Sequence, residues 1–327
     1  MLRSFQYVEK SYMEYSVQND LLHDKEIDIA NKFVTTHPIC REVDRKCPVC
    51  NGPIGKYFYT KWGVDYLRCD ACKSVYAVYD KKTVEQYQAS DDLRKLRLSD
   101  EYQEQAALNR KEVWVNFLEW LEVRTFRFMR RNRELSVVDI GNRLKGYSKV
   151  IADSVMTGIY DLRESPDGKD TCHIPAGGAD LVLYLDQLKG ELYPEKRIRE
   201  FSKILKEDGL LILNARAGSG FDILTLRENN REIYPYEHIL LPSVRGLTQL
   251  LQRNGYEVLE VTTPGVMDLK YVMESKERLG DRETFVRYFL EEASPLMLQE
   301  FQRFLQKGCL SSFICIIARK ERRHEEL

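Results

Sequence analysis

Apolar residues along this chain change their period several times, and each change marks an element. Residues 179–186, Ala-Asp-Leu-Val-Leu-Tyr-Leu-Asp, form a short apolar run ending in an acid, the pattern of a parallel strand buried on both faces. From 195 to 206 the apolar positions are Ile198, Phe201, Ile204 and Leu205, helical spacing with one apolar stripe, which Asp208-Gly209 closes. Residues 210–213, Leu-Leu-Ile-Leu, predict a second buried strand. Ser243 is placed to cap a helix whose apolar face is Val244, Leu247, Leu250 and Leu251 and which Gly255 ends, and residues 256–262 predict a third strand. Strands alternating with amphipathic helices define a doubly wound, mostly parallel α/β sheet, which binds ligands beyond the carboxyl ends of its strands.

Outside that stretch the pattern is coarser. Trp114, Phe117, Leu118 and Leu121 recur at helical spacing and are expected to dock a helix on the sheet rather than to form an aromatic substrate box. Phe285, Phe289, Leu298, Phe301 and Leu305 repeat with the same period, broken at Pro295, and residues 311–318 predict a last strand. The organisation expected is an N-terminal segment over 1–42, a ribbon over 43–80, a charged helical connector over 81–134, an α/β domain over 135–320 with a helical insertion at 266–310, and a charged tail over 321–327. The insertion suits a substrate lid or a dimer surface, so a homo-oligomer is among the expectations.

Four cysteines change the picture upstream. Cys47-Pro-Val-Cys50 and Cys69-Asp-Ala-Cys72 stand 18 residues apart, the spacing of a tetrahedral four-thiolate structural zinc site. β-type residues at 57–59 and 66–68 supply the ribbon between the knuckles. Disulfides are the alternative. The chain opens without an apolar leader and has no apolar run near the ~20 residues of a membrane span, so a reducing, cytoplasmic compartment is expected, where such pairs bind metal. The 327 residues carry 50 Lys+Arg against 51 Asp+Glu, a formal charge of -1, so no global field draws the chain to nucleic acid or to an anionic membrane. Ribbons of this kind often bind nucleic acid, and the balanced charge argues against that use here. Arg130, Arg131 and Arg133 read as a solvated helix end.

Three phrases of the second half, at 180–188, 204–213 and 236–258, arrive in an order that resembles class I S-adenosylmethionine-dependent methyltransferases. The resemblance implies a Rossmann-like sheet, S-adenosylmethionine as cofactor, and a glycine-rich loop after the first strand. Residues 136–141, Ser-Val-Val-Asp-Ile-Gly, begin that loop with Asp139 and Gly141, but Arg143 and Lys145 occupy the later glycine positions, with Gly146 as a shifted substitute. Two cations there also suit an anionic ligand such as a phosphate. Asp161, ending the pattern at 157–161, is the first choice for the acid that accepts ribose hydroxyls, with Glu164 second. Only 18 residues separate Asp161 from Asp180, so the sheet is expected to lack one βα unit. The family's frequent Glu-His pair aligns with Lys189-Gly190 and does not carry over.

An N-terminal four-cysteine module ahead of such a sheet resembles bacterial sugar and polysaccharide-associated methyltransferases, which implies a small-molecule substrate, a nucleotide sugar or polysaccharide precursor. Tyr236 and His238, in the loop beyond the fifth strand, are the candidates for the proton-abstracting group, and a bracing role for both stands equal. Asp186 either faces the cofactor or caps a helix. The alternative to an enzyme is a non-catalytic scaffold with a degenerate cofactor loop. His23, His37 and His324 are expected at the surface, Cys172-His173 as side chains pointing apart, and Cys40, Cys309 and Cys315 as apolar fillers.

Overall fold

The computed structural model describes residues 2–3, 21–37, 46–129, 135–141, 160–165 and 176–321. The N-terminal part comprises β1 (Leu2–Arg3), α1 (Leu21–Thr36), and a ribbon of β2 (Lys56–Lys61), β3 (Val64–Arg68) and β4 (Val75–Ala77). Three helices follow, α2 (Lys81–Gln88), α3 (Asp91–Leu98) and the 30-residue α4 (Asp100–Met129). The α/β part runs β5 (Leu135–Ile140), β6 (Tyr160–Ser165), β7 (Ala179–Leu185), α5 (Pro194–Ile204), β8 (Leu205–Arg216), α6 (Phe221–Leu226), β9 (Leu240–Leu241), α7 (Val244–Gln252) and β10 (Tyr256–Thr262). The insertion carries α8 (Asp268–Glu274), α9 (Thr284–Glu292) and α10 (Pro295–Lys307), and β11 (Phe313–Lys320) closes the sheet.

Seven strands order as β1-β10-β11-β8-β7-β5-β6. Every pairing is parallel except those of β11, which runs antiparallel to both β8 and β10. Alternation builds the two faces. Val182 and Tyr184 of β7, with Leu211 and Leu213 of β8, enter the core under α5 and α7, where Ile198, Phe201, Leu247 and Leu251 are buried. Leu181, Leu183, Leu210 and Ile212 point the other way, onto Phe117, Trp120 and Leu121 of α4. Both faces being covered explains why these strands read as unbroken apolar runs. α4 docks on the sheet as its spacing predicts.

Two boundaries differ from expectation. The turn foreseen at Asp208-Gly209 lies inside a strand: β8 already pairs at Leu205 with Ala179, then at Leu210 with Leu181, so residues 206–209 bulge out between the two pairings with Asp208 at φ 62. β6 begins at Tyr160 and runs to Ser165, later than the sequence pattern predicted. Four of its six residues are polar or charged, and among the described residues it has only β5 as a neighbour, so no apolar run announced it. Among the described residues no strand pairs beyond β6.

The ribbon is joined to this sheet domain by a strand. β2, β3 and β4 form an antiparallel sheet whose fourth member is β9, paired through Val75 with Leu241 and Tyr76 with Leu240. Among the described residues no helix is long and apolar enough to cross a membrane.

Candidate functional site

The four predicted metal ligands come together. The sulfurs of Cys47, Cys50, Cys69 and Cys72 all lie within 4.8 Å of one another, with Cys47 to Cys72 at 3.8 Å and Cys50 to Cys69 at 3.7 Å. A disulfide would bring a pair to ~2.05 Å, whereas four thiolates at ~2.3 Å around a tetrahedral zinc stand ~3.8 Å apart. The donor set therefore fits a closed four-thiolate metal site. Each knuckle ends in a left-handed residue, Asn51 at φ 58 and Lys73 at φ 68, and the N–H of each donates back to the first cysteine of its pair, to the Cys47 and Cys69 carbonyls. Those turns bring Gly52 N–H within 3.4 Å of Cys50 Sγ and Cys72 N–H within 3.5 Å of Cys69 Sγ.

The amino end of α7 is built onto this cluster. Ser243 Oγ accepts from the Gly246 N–H at 2.9 Å, and its own N–H donates to Ser74 Oγ at 3.0 Å, while Cys72 Sγ lies 3.2 Å from that Ser74 hydroxyl. A Cβ on Gly246 would stand 3.2 Å from Cys72 Sγ and closer still to Ser74, so only glycine lets the helix approach. The positive end of the helix dipole thereby faces the thiolates.

The second assembly lies at the carboxyl ends of the sheet strands. Asp139 is fully buried on β5, and Gly141 follows at φ 84, a left-handed conformation that glycine adopts freely. A Cβ there would meet the Gln187 amide nitrogen at 2.8 Å. Beyond β7, Asp186 is held at φ 54 while its N–H donates to Asn214 Oδ1 on β8 at 2.6 Å. Lys189 reaches Asp186 at 2.8 Å and Glu237 at 3.4 Å. Glu237 also pairs with Arg97 of α3 at 3.0 Å, and Arg97 with Glu26 of α1 at 2.7 Å. Burial works to raise the Glu237 carboxyl, but Arg97 and Lys189 outweigh it and hold the group well below the ordinary carboxylate range. A chain of alternating charges thus ties α1 and α3 to the loop after β7.

His238 sits beside this chain, buried, with Nδ1 3.4 Å from the Tyr234 N–H and its carbonyl accepting from Tyr66 of the ribbon at 3.0 Å. Burial first, then the Lys189 charge, push its pKa well below 6.5, so the ring is neutral near pH 7. Tyr236, at φ 65, packs its ring on Phe33 of α1 and Tyr87 of α2 at 5.4 and 6.0 Å. Its position is that of a brace between loop and helices.

Asp161 requires a correction. It pairs with Ser136 near the start of the strands, about 10 Å along the sheet from the level of Asp139 at ~3.3 Å per residue. Glu164 is the acid opposite Asp139 at the carboxyl end, because β6 starts late. His23 is a second correction: it is largely buried, 3.7 Å from Glu232, rather than at the surface, and His37 stacks on Phe33 at 3.7 Å. Cys315 is buried in β11 as a filler should be. Gly146, Arg143, Lys145, Cys40, Cys172-His173, His324 and the arginines at 130–133 lie outside the described residues.

Charged groups missed from the sequence complete the rim. Arg216 ends β8 with Nη2 donating to the Tyr271 hydroxyl at 3.2 Å, and stands 3.7 Å from Asp222 and 3.8 Å from Glu232. Burial raises both carboxyl pKa values against the pull of Arg216. No period marks such residues. The helix that brings in Glu26 and His23 did have a signal, since Leu22, Ala30 and Val34 keep i, i+4 spacing in a segment otherwise left unassigned.

A parallel sheet ordered β6-β5-β7-β8 among the described residues, continued by an antiparallel β11 and then β10, is a Rossmann-like doubly wound α/β fold. Solved structures similar to the chain include S-adenosylmethionine-dependent methyltransferases. They include a Haemonchus contortus phosphoethanolamine N-methyltransferase 2 in complex with S-adenosyl-L-methionine, at 16% identity over 71% of this chain and 60% of that one, TM-score 0.45. A second structure of the Haemonchus enzyme, with S-adenosylhomocysteine, matches at 15% identity and TM-score 0.39 over 60% of this chain, which spans about half (51%) of its length. A putative sarcosine dimethylglycine methyltransferase from Galdieria sulphuraria matches at 13% identity over 64% of this chain and 88% of that one, TM-score 0.41. No protein-family model and no curated protein sequence matches. Overlaps this partial fix neither activity nor substrate, and the strand order carries the fold assignment.

Proposed function

We propose that the chain transfers a methyl group from S-adenosylmethionine to a small molecule, and that the acceptor is carbohydrate-linked. The observation that carries the reading is the end of the central strand β5, where buried Asp139 is followed by Gly141 at φ 84, at the edge where sheets of this type take ligands. That edge fits the cofactor in kind, with a backbone free of Cβ at Gly141 and the Glu164 position level with Asp139. Asp139, Gly141, Gly146 and Glu164 are the proposed cofactor contacts, with Asp186 on the opposite side of the cleft. When bound, S-adenosylmethionine supplies an electrophilic methyl carbon on a sulfonium sulfur.

The chain's own part is positioning and proton handling, since methyl transfer depends mainly on in-line placement. His238 is the proposed acceptor of the substrate hydroxyl's proton, its neutral ring suiting that role. Tyr236 keeps the loop in register from behind. The four cysteines are proposed to hold one zinc ion whose place is structural, because a site closed by four thiolates leaves no position for water. The carbohydrate link rests on the combination of ribbon and sheet seen in the sequence.

The test is methyl-labelled S-adenosylmethionine incubated with the zinc-loaded protein and a small-molecule extract containing sugar nucleotides. Label should enter a low-mass, carbohydrate-containing product, and a His238→Ala or Asp139→Ala variant should lose at least ~100-fold in rate. Label that enters only non-carbohydrate products would reject the acceptor class. No transfer at all would reject the enzyme.

A further inference from the structure

The helical insertion buries one side and leaves the other uncovered. α9 and α10 are joined by only Ala293 and Ser294, and Phe289 packs on Phe301 with ring centres 5.0 Å apart, so the two helices fold back as a hairpin. Val286 and Leu290 pack toward the small core formed with Leu226, Tyr271 and Val272. Away from that core the ring contacts continue outward, Phe301 to Phe304 at 6.0 Å and Phe289 to Phe285 at 6.4 Å. The outer members are exposed: Phe285 by 73%, Tyr288 by 61%, Leu296 by 65%, Met297 by 52% and Phe304 by 57%.

At ~200 Å² for a fully exposed side chain of this size, these five present about 600 Å² of apolar surface. That is the upper end of the largest patch on a monomer and close to the ~800 Å² per partner of a standard interface. Charge decides the occupant. Residues 281–307 hold five acidic side chains against four basic ones, which gives no attraction for an anionic lipid surface. The tip carries Glu291 and Glu292, whereas the base holds a net positive excess, Arg282, Arg287 and Lys307 against Asp281 and Glu283. A two-fold axis lying in the interface and across the helices sets the tip of one copy against the base of the other. Parallel docking would instead stack acid on acid.

We propose that the exposed face of α9 and α10 is the interface of a homodimer, two hairpins packing antiparallel through Phe285, Tyr288, Met297 and Phe304. The ends of the hairpins are matched by Glu291 and Glu292 against Lys307.

Sedimentation velocity of the full zinc-loaded chain across a concentration series tests it. The wild type should sediment at twice the chain mass. Phe285→Glu and Phe304→Glu should each weaken self-association at least ~10-fold, ~1.4 kcal/mol, with unchanged thermal unfolding, since neither side chain is buried. Glu292→Lys should weaken the dimer and Glu292→Lys with Lys307→Glu should restore it. A wild type that stays monomeric, or a dimer indifferent to both phenylalanine variants, overturns the interface. Failure of the charge swap to restore association overturns the antiparallel placement. Co-flotation of the chain with phosphatidylcholine or phosphatidylserine vesicles, abolished by Phe285→Glu, would assign the face to a membrane instead.

Discussion

His238 shows what one residue's surroundings do to its chemistry. A histidine in a polar loop reads from sequence as a titrating base, and Glu237 of that loop with Lys189 and Asp186 from beyond β7 do stand around it. Burial dominates, however, and removes its charge. The linkage sign follows. Below its ordinary value near 6.5 the unfolded chain takes up a proton that the folded one refuses, so stability is full above that pH and falls beneath it. The slope for one such group approaches ~1.4 kcal/mol per pH unit. Glu237 works in the same direction only below its ordinary value of 4.5, where its lowered pKa begins to matter. Between about pH 5 and 6.5, unfolding midpoints in urea should therefore decline for the wild type and decline less for His238→Asn. Equal slopes for the two proteins would mean the ring is charged in the fold. The sequence named this residue for its position in the chain, while its protonation depended on burial and on charges such as Lys189 and Asp186, 49 and 52 positions away, which no local pattern carries.

At the level of elements, legibility followed burial. β7, β10, α5 and α7 were readable because each presents an unbroken apolar run or a single stripe to a core. β6 was not, because Tyr-Asp-Leu-Arg-Glu-Ser contains no unbroken apolar run, and the misplacement of Asp161 came directly from that. The knuckle spacing announced the thiol cluster, but nothing local announced that β9 would pair with β4 or that Gly246 would press a helix end onto Cys72. That contact makes metal and α/β domain interdependent. Metal analysis should find one zinc per chain. Stripping it should lower the unfolding temperature of the whole molecule in a single transition, by ~10 °C or more, because the four cysteines then lose the ion that ties them together and the α7 cap loses its support. Two separate transitions after chelation, with the second unmoved, would show a ribbon that folds and melts alone. Gly246→Ala should mimic part of the loss in the metal-loaded protein.

Across the whole molecule, the fold class was legible and the arrangement around the cleft was not. Periodicity predicted the doubly wound sheet, whereas the antiparallel place of β11 between β8 and β10 follows from no period. The placement of α1 and α3, fastened by Glu26, Arg97 and Glu237, depends on ion pairs between residues up to 140 positions apart. What the molecule can do turns on whether the carboxyl end of β5 accepts an adenosyl sulfonium. Isothermal titration of zinc-loaded protein with S-adenosylmethionine and S-adenosylhomocysteine measures this directly. Saturable binding of one equivalent per chain in the micromolar range, about −8 kcal/mol, weakened at least ~10-fold by Asp139→Ala, is the predicted result. An absence of heat and of competition with either ligand, from protein shown to be folded and metal-loaded, would contradict it.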